Sequence, residues 1–343
     1  MTILFASNHI GASATGGLSI QATKTAEHLQ KAGVHIIFHN AWEEINTNTI
    51  DAVHIFGAGI GTYHFAREIF RKKIPIFLSP VFFSLHSSSK LQLATAAQMA
   101  FRKVMKGTWT DIGMVAELCN WATGIFPNTN EEAKLLVEGL KADAKKIVVI
   151  PNGVDEQFAT ATPELFTQEY GIENFILNVG YFGARKNTLL FLQTVNALKR
   201  SAVIIGKSSN DEYSLLCKKE IATGNILHIE QLPNATPLLA SAYAAARVFC
   251  LPSLYETPGI SALEAGLTGT PIAITQYGGT KEYFLHYAEY IDPYSRTSIE
   301  SALHNAQQKG RDAQLTAHIR NNYLWSNVAE QTAEGYQRFL EKK

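Results

Sequence analysis

The sequence carries no surplus of either charge: lysine plus arginine and aspartate plus glutamate both number 30 in 343 residues. A dedicated nucleic-acid binder, whose footprint is a basic surface, is thereby disfavoured. Cysteine is scarce, and Cys119, Cys217 and Cys250 are far apart, with no CxxC pair and no histidine-rich companion. This excludes a disulfide framework and a zinc site, and leaves free buried thiols in a reducing compartment. No apolar run approaches the roughly 20 residues that cross a bilayer. The opening MTILFASNHIG lacks a basic n-region and a small-residue cleavage site, so it reads as a first strand and not as a signal peptide. A cytoplasmic protein is expected. Low-complexity segments, tandem repeats of solenoid period and Asp-x-Asp triplets are also absent.

What is present is an alternation. Hydrophobic residues make up 46% of the chain, enough for ordinary packed cores. Short β-type runs (TILFAS, VHIIFHN, AVHIF, IPIFLS, GIFPN and KIVVIPNG) are separated by helical patterns such as GLSIQATKTAEHLQKA and NEEAKLLVEGL. After a polar stretch at 156–173 the series restarts with FILNVG, AVIIG, NILHI, VFCLP and PIAIT. Strands alternating with helices indicate parallel sheets covered on both faces. Two such series predict two doubly wound, Rossmann-like α/β domains, 1–155 and 156–321. The segment LWSNVAEQTAEGYQRFL spaces Leu324, Trp325, Val328, Tyr336 and Phe339 close to a helical period, so it needs a surface to pack on.

Three loops carry the chemistry. Gly16-Gly17 follows the first strand and opens a helix, where backbone amides can approach an anion; a merely structural turn is the alternative. The run is not GxGxxG and no acid ends the second strand region, which disfavours a nicotinamide dehydrogenase. In NVGYFGARKNTLLFL, Arg185 and Lys186 precede a helix for which Asn187 or Thr188 would be the N-cap. Two cations at the positive end of a helix are locally unfavourable, so a bound anion is the economical explanation. In LYETPGISALEAGLTG, Pro258 suits a first helical turn. The amides of Gly259 and Ile260 are then free for a phosphate. Glu264 lies too deep in that helix for the end dipole to account for it, so it needs hydrogen-bond partners: ribose hydroxyls or a structural lysine. QYGGTKEY is either a second backbone cradle or a tight connection.

Taken together, these stretches resemble the family 4 glycosyltransferases, retaining enzymes of the GT-B fold. The resemblance runs over nearly the whole chain. It is carried by Glu256, seven residues and Glu264 with the following YGGTKEY, by VIPNGVD at 149–155, by NVGYFGARKN and by the Gly16-Gly17 loop. It implies two Rossmann-like domains facing a central cleft, with the tail at about 322–343 packing back on the first. It implies a nucleotide-diphosphate sugar as co-substrate, with no cofactor and no metal. Glu256 would contact the donor sugar, assisted by Lys186 and Arg185 at the diphosphate. Gly180, Tyr181, Thr257, Gly259 and Ile260 would line the donor site with Gly16 and Gly17, and Glu264 would hold the ribose.

The sequence departs from the family pattern twice. Tyr181 stands where the family usually has arginine, and Arg185 is the candidate replacement. Ser79-Pro80 stands where a histidine is common, which leaves His86, nearby, as the acceptor-side candidate. His54 is expected to be structural. The acceptor implied is a glycan or a lipid-linked glycan, as in relatives that build bacterial surface polysaccharides. Residues 90–109 hold Lys90, Arg102, Lys103 and Lys106 and no acid. That stretch either lies on an anionic membrane, placing the protein at the inner membrane face, or packs as a helix on the domain surface. Two other functions are compatible with the sequence: a nucleotide-sugar epimerase of the same fold, and a catalytically degenerate nucleotide-sugar-binding module.

Overall fold

A computed structural model describes residues 1–7, 16–84, 86–104, 110–234 and 236–341. The chain forms two compact units, one of Met1–Asn152 with Trp325–Lys343 and one of Gly153–Leu324. The division precedes residue 155 because Val154 is tied to the second unit: its amide donates to Tyr323 O at 2.8 Å and it bridges Leu324.

The first unit contains β1 (Thr2–Ser7), α1 (Gly17–Lys31), β2 (His35–Phe38), β3 (Ala52–Phe56), α2 (Ile60–Arg71) and β4 (Ile76–Ser79). It continues with α3 (Ser88–Val104), α4 (Asp111–Trp121), β5 (Gly124–Ile125) and α5 (Asn130–Lys134), which runs into a π turn at Leu135–Gly139. The sheet is parallel, in the order β2-β1-β3-β4-β5. In α1 the buried residues Gln21, Ala22, Thr25, Ala26 and Leu29 recur at helical spacing and make the inner face, and Gly33 at φ +85° stops the helix.

The second unit contains α6 (Glu164–Tyr170), β6 (Ile176–Val179), α7 (Thr188–Ala197), β7 (Ala202–Ile205), α8 (Glu212–Thr223), β8 (Ile226–Ile229), α9 (Pro237–Ala245) and β9 (Val248–Leu251). Then follow α10 (Ile260–Leu267), β10 (Ile272–Thr275), α11 (Thr280–Phe284), β11 (Glu289–Ile291), α12 (Arg296–Lys309) and α13 (Ala313–Asn322). Its parallel sheet runs β11-β10-β9-β6-β7-β8. Alternate strand residues feed two cores: Leu177, Val203, Phe249 and Leu251 face one, Ile176, Ile204, Val248 and Cys250 the other. That is why these strands read as unbroken apolar runs: helices cover both faces.

The last helix, α14 (Trp325–Leu340), belongs to the first unit, where it lies against α1. The Tyr336 and Phe77 rings meet at a tilt with 4.6 Å between their centres, and the Tyr336 hydroxyl meets His54 Nδ1 at 2.6 Å. The other ring nitrogen of His54 lies 2.9 Å from Ser79 Oγ. The imidazole is therefore satisfied on both sides inside the core, in the structural role expected of it.

Two expectations are corrected. KIVVIPNG is not a strand; only Ile147 bridges β5, at Ile125, because Pro127 and Pro151 remove ladder donors on both sides of so short a contact. Pro258 lies outside α10, which starts after Gly259. The cysteines are buried and free, and burial pushes the Cys119 thiol up to about 12. No helix among the described residues is long and apolar enough to cross a membrane. In α3, Leu91 and Thr95 are buried while Lys90 and Leu93 are exposed; residues 105–109 of the basic stretch lie outside the described residues.

Burial pushes the His54 pKa from 6.5 down to about 3. Between these values the unfolded chain binds the extra proton, so His54 makes the first unit less stable as pH falls, by up to about 1.4 kcal/mol per pH unit. Glu132, raised by burial to about 7, has the opposite sign between 4.5 and 7. The His54 contribution is therefore read against His54→Phe. Urea titrations at pH 7, 6 and 5 should show the wild type losing stability relative to that variant. Tryptophan fluorescence isolates the first unit, since Trp42, Trp109, Trp121 and Trp325 all belong to it.

Candidate functional site

In the second unit the chain winds outward from β6 to β8, then returns to β9 on the other side of β6. Neighbouring loops at that reversal leave in opposite directions, which opens a crevice at the carboxyl ends of β6 and β9. The ladder between them is registered only at Ile176↔Val248 and Leu177↔Phe249. Beyond that point the buried Asn178 side chain donates to Cys250 O at 2.7 Å. A side-chain amide replaces the missing ladder bond as the strands part.

The two loops leaving this point are stitched together. Leu254 N donates to Arg185 O at 2.8 Å, and Asn187 Nδ2 donates to Pro252 O at 3.1 Å and Pro293 O at 2.7 Å. Asn187 is the N-cap residue of α7 in the left-handed region (φ 56°), but its side chain is spent on these carbonyls and does not cap the helix. Arg185 and Lys186 occupy the 3-10 turn Ala184–Lys186 just before it.

Both cations converge on Glu256. Lys186 Nζ is 2.6 Å and Arg185 Nη1 3.4 Å from Glu256 Oε1, and the glutamate side chain is only 7% exposed. Burial alone would raise the Glu256 pKa; Lys186 and Arg185 outweigh it and hold the carboxyl below its ordinary value. Arg185 also donates to Tyr255 O at 3.2 Å, and its guanidinium lies over the Tyr255 and Tyr181 rings at 5.4 and 5.9 Å. Tyr181 thus carries no charge itself but flanks the cation that does. Gly180 lies beside the Lys186 stem, where a Cβ would make ordinary contact with Lys186 Cε at 3.5 Å.

The QYGGTKEY turn folds onto Glu256. Glu256 N donates to Tyr277 O at 3.1 Å, and Gly279 N donates to Glu256 O at 3.0 Å. Gly278, at φ +86°, would put a Cβ 2.1 Å from Glu256 O, so no other residue fits there. Thr257 is half-buried and joined to Pro258 by a cis peptide bond. Gly259, at φ +81°, lies against Glu256: a Cβ there would be 3.6 Å from its Cγ.

Glu264 sits one turn into α10 and is 3% exposed. Its Oε1 accepts from Asn234 Nδ2 at 3.1 Å and its Oε2 from the Tyr243 hydroxyl at 2.6 Å. Burial, reinforced by the Glu264 charge, keeps the Tyr243 phenol well above its ordinary pKa, so it is the donor. Asn234 and Tyr243 give no sequence signal of their own. They are found only once β8 and α9 are in place.

A pattern in the helix starts was also invisible in the sequence. Thr110, Thr129, Asp211, Thr236, Ser295 and Asp312 cap α4, α5, α8, α9, α12 and α13 with their side chains. Among the described helix starts with neither a side-chain cap nor an acid in the first turn, α14 begins after Leu324 and the other four are α1, α2, α7 and α10. These four follow β1, β3, β6 and β9, the strands that flank the reversal point of each sheet. Their positive ends are left without local compensation where α/β sheets bind ligands.

Gly16 is the N-cap residue of α1 and Gly17 its first residue, both in the first unit. His86 belongs to that unit as well. It is exposed, with its amide 3.1 Å from Ser84 Oγ. The structure brings together Glu256, Lys186, Arg185, Gly180, Tyr181 and Gly259, with Thr257 and Ile260 adjoining and Glu264 on the same helix.

Residues 166–322 match the family described as "Glycosyl transferases group 1". The match covers most of the second unit. Among curated proteins, the chain is 29% identical over 248 residues to D-inositol 3-phosphate glycosyltransferase of Pseudarthrobacter chlorophenolicus, a match covering 64% of this chain and 57% of the relative. It is 24% identical over 238 residues to mannosylfructose-phosphate synthase of Agrobacterium fabrum, covering 60% and 51%. The chain thus spans little more than half the length of these relatives. Sucrose-phosphate synthase from Thermosynechococcus elongatus superposes with a TM-score of 0.77 at 17% identity, over 100% of this chain and 99% of that one. Anabaena HepE, solved in complex with UDP, gives 0.73 at 14% identity, over 98% and 100%. These superpositions show that the α/β fold of the chain is shared along its whole length.

Removing one partner from a buried ion pair leaves an uncompensated charge. Lys186→Met should lower stability by about 3 kcal/mol, the lower end for such pairs because Arg185 remains. Adding Glu256→Gln should recover most of that loss. Urea unfolding followed by far-UV circular dichroism on the two variants checks both.

Proposed function

We propose that the protein is a retaining, metal-independent glycosyltransferase that takes a sugar from a nucleoside-diphosphate donor. The carrying observation is the convergence of Lys186 and Arg185 on buried Glu256 beside the uncapped start of α10. Breaking a sugar–diphosphate bond develops negative charge on the leaving phosphate, and preorganised cations and amides are what lower that barrier. An ammonium has three donors and Glu256 takes one from Lys186, so the others are available to a diphosphate. Arg185, held between two tyrosine rings, supplies the second charge in place of the arginine that Tyr181 replaces. Glu256 contacts the donor sugar, and the amides from Thr257 to Ile260 meet its distal phosphate. Glu264, fixed by Asn234 and Tyr243, receives the ribose hydroxyls. UDP, present in the Anabaena HepE complex, is the first nucleotide to test.

The acceptor is a sugar or polyol hydroxyl. A glycan or lipid-linked glycan is one class. The similarity to D-inositol 3-phosphate glycosyltransferase and mannosylfructose-phosphate synthase favours a small phosphorylated acceptor as the other. Gly16 and Gly17, at the uncapped start of α1, are the candidates to meet its phosphate or that of the donor, and His86 remains the candidate general base.

Calorimetry with UDP, GDP, ADP and their sugar conjugates, without added metal, should show selective binding of one nucleotide. Glu264→Ala should weaken that nucleotide at least about tenfold, the loss expected when hydrogen bonds to a charged group disappear. Glu256→Ala should spare the bare nucleotide and cut turnover. Lys186→Ala should weaken the diphosphate. No binding across the panel would overturn the transferase reading.

A further inference from the structure

The first unit holds a buried charge that the donor site does not use. Glu132, in the first turn of α5, is 2% exposed. Its Oε2 accepts from Asn128 N at 2.7 Å, much as a capping glutamate would. Its Oε1 leaves the helix altogether and accepts from Phe82 N at 2.7 Å, fifty residues away in sequence. The Val81 amide adds to the same stabilisation. Thr129 accepts from Glu132 N at 3.0 Å, and Asn128 Oδ1 accepts from Gln21 Nε2 of α1, also at 3.0 Å. The carboxylate is therefore fixed from three sides.

The segment it grips is strained. Val81 has φ +51°, a left-handed conformation that a β-branched residue rarely adopts. Such a residue persists only where its surroundings over-determine it. The segment is pinned at its start as well: Gly57 N donates to Ser79 O at 2.8 Å and Ala58 N to Pro80 O at 2.9 Å. This is the carboxyl end of β4, on the edge of the first sheet where α/β units place ligands. A cap alone would need neither the second oxygen nor the strain.

We propose that Glu132 is a positioning residue for the acceptor: its carboxylate holds the Val81 and Phe82 amides so that the exit of β4 presents one fixed surface to the acceptor. The proposal rests on the transferase reading above, with the acceptor on the first unit. Glu132→Gln keeps the shape but offers only one accepting oxygen, and its NH2 faces an amide donor. Glu132→Asp keeps the charge and can still serve the start of α5, but is one methylene too short for Phe82.

Both variants should speed amide hydrogen exchange in residues 80–84 about tenfold, raise the acceptor KM about tenfold, and leave nucleotide Kd within about twofold, in line with the loss of one charge-assisted hydrogen bond. Asp should restore thermal stability without restoring KM. Restoration of both by Asp would reduce Glu132 to a helix cap and overturn the proposal, as would faster exchange with an unchanged acceptor KM. Wild-type protein that binds no nucleotide and transfers nothing would instead overturn the transferase reading, while the exchange comparison would still decide whether Glu132 holds the segment.

Discussion

A carboxylate cannot be taken out of water unless something replaces the water, and the second unit is arranged around that requirement at Glu256. Its counter-charges come from a different strand-to-helix loop, about seventy residues earlier in the chain. The loops after β6 and β9 must therefore meet, and the bonds from Leu254 and Asn187 hold them where the ion pair forms. Gly278 follows from the same constraint: a methyl group there would collide with the Glu256 backbone.

The sheet below is adapted to this. Parallel strands normally continue their ladder to the end, but β6 and β9 separate early and Asn178 spans the gap. A polar side chain at the centre of an apolar strand costs stability if left alone; here it satisfies a carbonyl that the parting strands would orphan. The uncapped helix starts show the same allocation. Six helices away from the reversal points are closed by threonine, serine or aspartate, while the four at the reversal points are left electrostatically open. Functional positions are where local rules for stability are broken.

Much of this was legible beforehand because it is periodic or punctuated. Apolar runs, glycine turns and the spacing of Glu256 and Glu264 disclosed two doubly wound units and the residues of the donor loop. β11 was not legible: EYI is three residues long and follows no strong turn signal. KIVVIPNG has the composition of a strand, yet prolines decide its pairing. Asn234 and Tyr243 were hidden because a hydrogen-bond partner twenty or thirty residues away leaves no mark on local pattern. The Arg185 stack on Tyr181 and Tyr255 was hidden for the same reason.

The first unit is discontinuous, and this governs the order in which the chain can mature. His54 and Tyr336 are 282 residues apart, with the entire second unit emerging from the ribosome between them. At synthesis rates of roughly 5–20 residues per second, that delay is on the order of tens of seconds. Throughout it, Phe77, Phe126 and the inner face of α1 await the helix that covers them, while the continuous second unit is free to fold. The nascent first unit is therefore the part that needs shielding until α14 docks.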